Sequence, residues 1–175
     1  DINNCTVVSD TITITNPPGF TIQTQVSTDI SCFNSNDGTI SVFVTGGTGD
    51  LYYTLWPNDS TQINDGYFDY LSAGTYTVII EDDNLCSQTT DPLIILEPPL
   101  ITIDTAQFTN ITCRDADDGI VYVTAIGGTG NLYYTLWPND STQTGDGEFT
   151  YLPEGTYFVT VTDDNNCPAD TSILF

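Results

Sequence analysis

The sequence predicts an all-β protein made of tandem immunoglobulin-like β-sandwich units of about 81 residues, set head to tail as a rod. Three observations predict it. The stretch LYYTLWPNDSTQ at 51–62 returns unchanged at 132–143, and residues 20–94 match residues 101–175 at 40 of 75 positions without a gap. Two copies this similar are one structural unit used twice. Thr, Val, Ile and Tyr are abundant, and no long apolar segment shows the 3.6-residue period of a helix. Clusters of Asn, Asp, Gly and Pro punctuate the chain about every 8–12 residues, the spacing of sandwich turns. A solenoid coil would repeat at a shorter period.

The elements follow in order. Residues 1–18 read as the C-terminal strand of a preceding repeat. Asp1, Cys5 and Asp10 align with Asp82, Cys86 and Asp91, and Asn16-Pro17-Pro18 aligns with Glu97-Pro98-Pro99. The chain is therefore expected to be a window on a longer array. Residues 11–15 alternate, which puts Ile12 and Ile14 on a core side as Leu93 and Ile95 are one unit later.

Repeat unit one spans 19–99. Residues 20–25, rich in Thr and Gln, form an edge-type strand. The Asn, Ser, Asp and Gly cluster at 33–38 makes a turn. Residues 39–45 alternate, with Ile40, Val42 and Val44 on one face. Gly46-Gly47-Thr48-Gly49 permits positive φ and a sharp crossover. Residues 51–56 form the next strand, whose inward set is either Leu51, Tyr53 and Leu55 or the opposite one, since a slip of one residue exchanges the faces. Turns are expected at 57–59 and 64–66, and a short strand at 67–71. Tyr76, Val78 and Ile80 share a face of the strand at 75–81. A turn at 82–84 leads to a last strand ending at 93–96. Two prolines make the 97–99 linker short and stiff. Repeat unit two, 100–175, restates the scheme.

Charge and composition exclude several functions. The chain has 24 acidic residues against one basic residue, Arg114, and no His. Phosphate binding needs Lys or Arg, so nucleic acid and anionic membrane surfaces are not expected partners. No stretch is long and apolar enough for membrane insertion, and no leader peptide is evident. Without His or Lys, neither a Ser-His-Asp arrangement nor a Schiff base can be built. The acidic alternative needs paired carboxylates, yet Glu81, Glu97, Glu148 and Glu154 do not occupy equivalent positions in the two units. The chain is read as no enzyme.

Five cysteines without His or a Cys-x-x-Cys pair argue for disulfides in an oxidising compartment, not for zinc. Pairing within a unit would join Cys32 to Cys86 and Cys113 to Cys167. In an immunoglobulin-like topology Cys32 and Cys86 sit at opposite poles. A strand of seven or eight residues is roughly 25 Å long, while disulfide Cα atoms lie about 4.4–6.8 Å apart. A head-to-tail array instead brings Cys32 of one unit to Cys167 of the next, and this inter-repeat bond is preferred. The within-unit pairing stays open.

The same joint gathers oxygen ligands that suit Ca²⁺. Candidates are Asn34, Asn36 and Asp37, then Asp115, Asp117 and Asp118, with Asp82, Asp83, Asp163 and Asp164 on the facing turns. No bidentate Glu completes a full calcium loop, and Asx-Gly sequences are also simply good turns. Tyr52, Trp56, Tyr133 and Trp137 are candidates for a surface that contacts a glycan or protein partner. They can equally pack over their own turns. Asp-Ser-Thr at 59–61 and 140–142, with Asp-Thr-Ile at 10–12 and Asp-Thr-Ala at 104–106, resembles a bacterial O-glycosylation pattern.

One further pattern is specific. Cys32, Asp37-Gly38, residues 46–49, Tyr53, Trp56, Leu71, Gly74-Thr75-Tyr76, Val78, Asp82 and Cys86 form a signature. It repeats at Cys113, Asp118-Gly119, residues 127–130, Tyr134, Trp137, Leu152, Gly155-Thr156-Tyr157, Val159, Asp163 and Cys167. It resembles the SprB repeat of Bacteroidota surface proteins over almost the whole chain. Relatives commonly carry Trp where Leu55 stands here, one residue before Trp56. The resemblance implies a segment of a large secreted cell-surface adhesin, such as those of gliding motility and other type IX-secreted appendages. Its expected role is a non-catalytic stalk or filament, outside the cell, whose partners are neighbouring repeats and, in a fibre, lateral copies. The alternative is a carbohydrate- or surface-binding adhesin module.

Overall fold

The computed structural model describes residues 10–169 and the backbone of Ile173 and Leu174. All regular structure among the described residues is β. In unit one, β1 (Phe20–Thr28), β2 (Gly38–Gly46) and β5 (Tyr67–Leu71) form one antiparallel sheet in the order β1-β2-β5. The second sheet runs β4 (Ser60–Ile63), β3 (Leu51–Trp56), β6 (Gly74–Asp82) and β7 (Ser87–Thr89), and β8 (Leu93–Ile95) pairs with the start of β6. Unit two repeats this order. One sheet is β13 (Gly147–Leu152), β10 (Gly119–Ile126) and β9 (Thr102–Thr109). The other is β12 (Ser141–Thr144), β11 (Tyr133–Trp137), β14 (Phe158–Thr162) and β15 (Ile173–Leu174).

The alternation of side chains decides what each sheet buries. Ile40, Val42 and Val44 on β2 meet Tyr53 and Leu55 on β3 and Tyr76, Val78 and Ile80 on β6. Val121, Val123, Tyr134, Leu136, Val159 and Val161 do the same in unit two. Each fully buried aliphatic side chain contributes roughly 1.5–3 kcal/mol of transfer energy. The register of 51–56 resolves with Tyr53 and Leu55 inward and Leu51 half-buried. Leu55 is 1% exposed and Trp56 54% exposed, so the leucine fills the core while the tryptophan leaves it. Both Trp-Pro bonds, Trp56-Pro57 and Trp137-Pro138, are cis.

Two close contacts explain sequence features. A Cβ on Gly66 would stand 2.2 Å from Val42 O and 2.9 Å from Tyr53 Cε1, so only glycine lets that ring lie flat there. Tyr76 Oη donates to Ser72 O at 2.9 Å, and Tyr157 Oη to Pro153 O at 3.0 Å. This is the tyrosine corner of immunoglobulin-like sandwiches, and it fixes the turn into β6 and β14.

Three expectations are corrected. Residues 60–63, left without an element between the expected turns at 57–59 and 64–66, form a strand paired to β3 from Leu55↔Ser60 to Tyr52↔Ile63. The final strand of unit one divides into β7 and β8, separated at 90–92, where Thr90 Oγ1 takes the bond from Val78 N at 2.9 Å. Residues 11–15 form no strand, and Ile12 and Ile14 are exposed, because no sheet among the described residues lies beside them. Asp1 and Cys5 lie outside the described residues.

Candidate functional site

The joint between the units is built from two kinds of turn. The first follows β6, where Asp82 is almost fully buried. Its Oδ1 accepts from Asn84 N and Cys86 N, both at 3.0 Å, and its Oδ2 accepts from Thr48 N at 3.1 Å. Burial opposes ionisation of this carboxyl. The Cys86, Thr48 and Asn84 donors outweigh it and hold the pKa below the usual carboxylate value. Asp163 repeats the arrangement with Asn165 N, Cys167 N and Thr129 N at 2.9, 2.9 and 2.8 Å. Asp83 Oδ2 accepts from Asp50 N at 3.1 Å and its Oδ1 from Tyr52 Oη at 3.3 Å. Asp164 does likewise with Asn131 N at 3.0 Å and Tyr133 Oη at 2.8 Å. Each Asp-Asp pair thus fastens the glycine loop to the turn.

The second turn follows β1. Asp37 accepts from Ser31 N at 3.0 Å and from Ser35 Oγ. The hydroxyls of Ser31 and Ser35, with the Ser31 N–H, lower its pKa to about 2. Asp118 accepts from Thr112 N at 2.9 Å and Thr112 Oγ1 at 2.6 Å, and these bonds, the hydroxyl's foremost, lower its pKa.

The two turns meet across the linker. Cys32 and Cys167 are joined by a disulfide, with S–S 2.02 Å and Cα atoms 5.5 Å apart. Asn165 Nδ2 donates to Ser31 O at 3.0 Å. The linker takes part on both sides: Asn34 N donates to Glu97 Oε1 at 2.7 Å, and Gly128 N donates to Pro99 O at 2.8 Å. Cys167 is buried in unit two's core cluster, with Cys32 packed against it. Cys86 and Cys113, the same two positions one unit away, are exposed free thiols. The within-unit pairs are not formed.

The candidate calcium ligands are not brought together. Among the described residues no three acidic, Cys or His groups cluster as a cation site. Asp37 and Asp118 accept from N–H and O–H donors of their own turns, and Asp82, Asp83, Asp163 and Asp164 accept from donors of their turns, the glycine loops and the strands that follow those loops. Asn34, Asp115 and Asp117 instead serve as turn residues with positive φ of 59°, 61° and 45°, and Asn36 is exposed. The aromatic candidates separate. Tyr52 and Tyr133 are half-buried and tied to Asp83 and Asp164, whose charge or hydrogen bond raises their pKa. Trp137 stacks on Phe158 with centroids 6.0 Å apart, and its Nε1 donates to Thr160 Oγ1 at 3.2 Å. Unit one has Thr77 and Ile79 at those positions, and Trp56 remains exposed. Sequence reasoning missed the clamp of Asp82 on Thr48 N. Its signal was the joint repetition of the glycine loop and the Asp-Asp pair.

Residues 24–59 match the family model of the SprB repeat. Over those residues unit one is similar to the SprB repeat. The SprB match runs from Thr24 within β1 to Asp59 at the end of the β3–β4 turn, and the counterpart segment of unit two includes the start of the unchanged stretch at 132–143. SprB repeats belong to secreted cell-surface proteins. An uncharacterized protein of Dictyostelium discoideum is 28% identical over 138 residues, which is 76% of this chain and 11% of that protein's length. The chain therefore spans about a ninth of that relative. The crystal structure of a C-terminal 282-residue intimin fragment, in complex with the translocated intimin receptor's intimin-binding domain, is 17% identical. It covers 89% of this chain and 63% of that one, with a TM-score of 0.45. No helix among the described residues is long and apolar enough to cross a membrane.

Proposed function

We propose that the chain is a non-catalytic stalk segment of a large secreted adhesin or appendage at a bacterial cell surface, of the type IX-exported kind that carries SprB repeats. Its task is to extend the appendage and hold successive repeats at a fixed angle. The observation that carries this reading is the joint: a disulfide, a two-proline linker and hydrogen bonds from both units lock one sandwich onto the next. The bond spans 135 residues of sequence. Tension applied at the chain ends runs through Cys32 and Cys167 and bypasses residues 33–166, while β1, with Phe20 and Ile30 of unit one's core, stays in the loaded path.

Single-molecule pulling of the full chain tests this. The oxidised chain is expected to extend only by the residues outside the loop. Reduction should release the looped residues, a gain of roughly 450 Å at about 3.4 Å per residue. Equal extension before and after reduction would refute a load-bearing joint. One observation favours a second reading, an adhesin module that binds a glycan: the indole of Trp56 is half-exposed on a sheet face. Glycan binding abolished by Trp56→Ala would support that role.

A further inference from the structure

The two units hold the same tryptophan in two different settings, and the difference comes from one strand. The stretch 51–62 around Trp56 is identical to the stretch 132–143 around Trp137. Both indoles precede a cis proline. Both point to the outer face of their sheet, because Leu55 and Leu136 before them fill the cores. Even the neighbouring hydroxyl pairs agree: Thr54 Oγ1 and Thr61 Oγ1 are 2.9 Å apart, as are Thr135 Oγ1 and Thr142 Oγ1. The change lies across the ladder. Trp137 is paired with Phe158, and Trp56 with Thr77 at the same register. Two residues further along, unit two has Thr160 where unit one has Ile79.

These two exchanges decide what each indole meets. In unit two the Phe158 ring lies 12° from parallel to the indole with centroids 6.0 Å apart, and Trp137 Nε1 donates to Thr160 Oγ1 at 3.2 Å. Unit two therefore occupies both the apolar face and the polar atom of its own indole. In unit one Thr77 is too short to cover the ring, and the Ile79 side chain has no oxygen. Trp56 is 54% exposed, with Ile79 39% exposed diagonally across from it. Among the described residues no group accepts from Trp56 Nε1. Phe158 and Thr160 thus display what the open indole is suited to receive: a flat apolar face laid parallel to the ring, and a hydroxyl oxygen at its edge.

A pyranose ring carries both. Its axial C–H groups form a flat apolar face, and its equatorial hydroxyls stand around the rim as acceptors. In the β-linked glucose configuration every substituent is equatorial, so both faces are bare C–H. A lysine or arginine side chain also stacks on indole, but it brings only donors and leaves Nε1–H unanswered. An acidic sugar is repelled by a formal net charge of -23.

We propose that Trp56 is the platform of a binding site for a neutral, β-linked glucose-type pyranose. The C–H face of the sugar stacks on the indole, one rim hydroxyl accepts from Nε1, and Ile79 supports the sugar's edge. Trp137 is the same platform, closed by Phe158 and Thr160. The inference rests on the glycan-binding reading, to which it adds the class of sugar and the reason that one unit binds and the other does not. It is independent of the stalk.

Isothermal titration calorimetry of the full chain with cellopentaose tests it, with a pentamer of galacturonic acid as the acidic probe. The parent should bind cellopentaose saturably and give no heat of binding with the acidic pentamer. Trp56→Ala should abolish binding. Thr77→Phe/Ile79→Thr, which copies the cover of unit two into unit one, should abolish it too. The reverse exchange, Phe158→Thr/Thr160→Ile, made in the Trp56→Ala background, should restore binding. Its emission should then shift to shorter wavelength with cellopentaose, because Trp137 is the one tryptophan left. Each exchange installs residues that the other unit already carries there, on an outer face, so melting temperatures should stay near the parent's. Binding that survives Trp56→Ala, an acidic pentamer that binds as well as cellopentaose, or a reverse exchange that restores nothing would overturn the proposal. So would a parent that ignores cellopentaose. If a glycan array still shows binding in that case, the glycan reading stands without this site's sugar class; if it shows none, both fall.

Discussion

At the scale of single residues, the acidic side chains that looked most like metal ligands are hydrogen-bond acceptors for backbone. Asp82 shows why. Three N–H groups converge on one buried carboxylate, and removing it would leave three donors unpaired beside the core. Asp82→Ala should therefore lower the melting temperature far more than Asp10→Ala, read by circular dichroism, and added Ca²⁺ should restore neither. Tyr76→Phe removes the corner hydrogen bond to Ser72 O and the longer one shared with Ser72 Oγ, and should cost about 1 kcal/mol in a denaturant titration, with the core intact. A sequence reveals that Asp82, Asp83, Asp163 and Asp164 recur. It does not reveal whether a carboxylate faces a cation or an amide, because both uses want oxygens on tight turns.

At the scale of elements, the alternation in 39–45 and 75–81 was legible because one face of each strand is buried, and period two then marks the face directly. The strand at 60–63 was not legible: its four residues are exposed or half-buried, so burial imposes no pattern on them. Leu51 likewise sits half-buried where simple alternation would place it fully inside. The glycine loop was legible as a crossover, but its partner was not. Gly49 has φ +73°, and a Cβ there would fall 1.9 Å from Asp83 Oδ2. Gly49→Ala is expected to cost about 2 kcal/mol through left-handed backbone strain, and more through the lost Asp83 contact. A denaturation midpoint within error of the parent's would show that the loop yields without cost.

At the scale of the whole molecule, charge and cross-linking act against each other. A formal net charge of -23 on 175 residues repels itself at neutral pH, and the joint holds two acidic units together regardless. Asp37, Asp82, Asp118 and Asp164 all have lowered folded-state pKa values. Their stabilisation is thus fully present above the ordinary value of 3.8 and is lost as pH falls through the folded values, near 2 for Asp37. In high salt, where the net repulsion is screened, the melting temperature should stay level from neutral pH to about 4 and drop below it. A rise on acidification in high salt would contradict that. The head-to-tail pairing of Cys32 with Cys167 was preferred because an immunoglobulin-like unit sets Cys32 and Cys86 a strand's length apart at opposite poles, but only the placed turns show that Asn165, Glu97 and Pro99 close around it. Non-reducing peptide mapping of the full chain tests the joint most directly. Arg114 is the one trypsin site, so an Asp-directed protease is required. The account predicts a linked Cys32–Cys167 peptide, with Cys86 and Cys113 free in the monomer. Linked Cys32–Cys86 and Cys113–Cys167 peptides would contradict it and make the units independent beads.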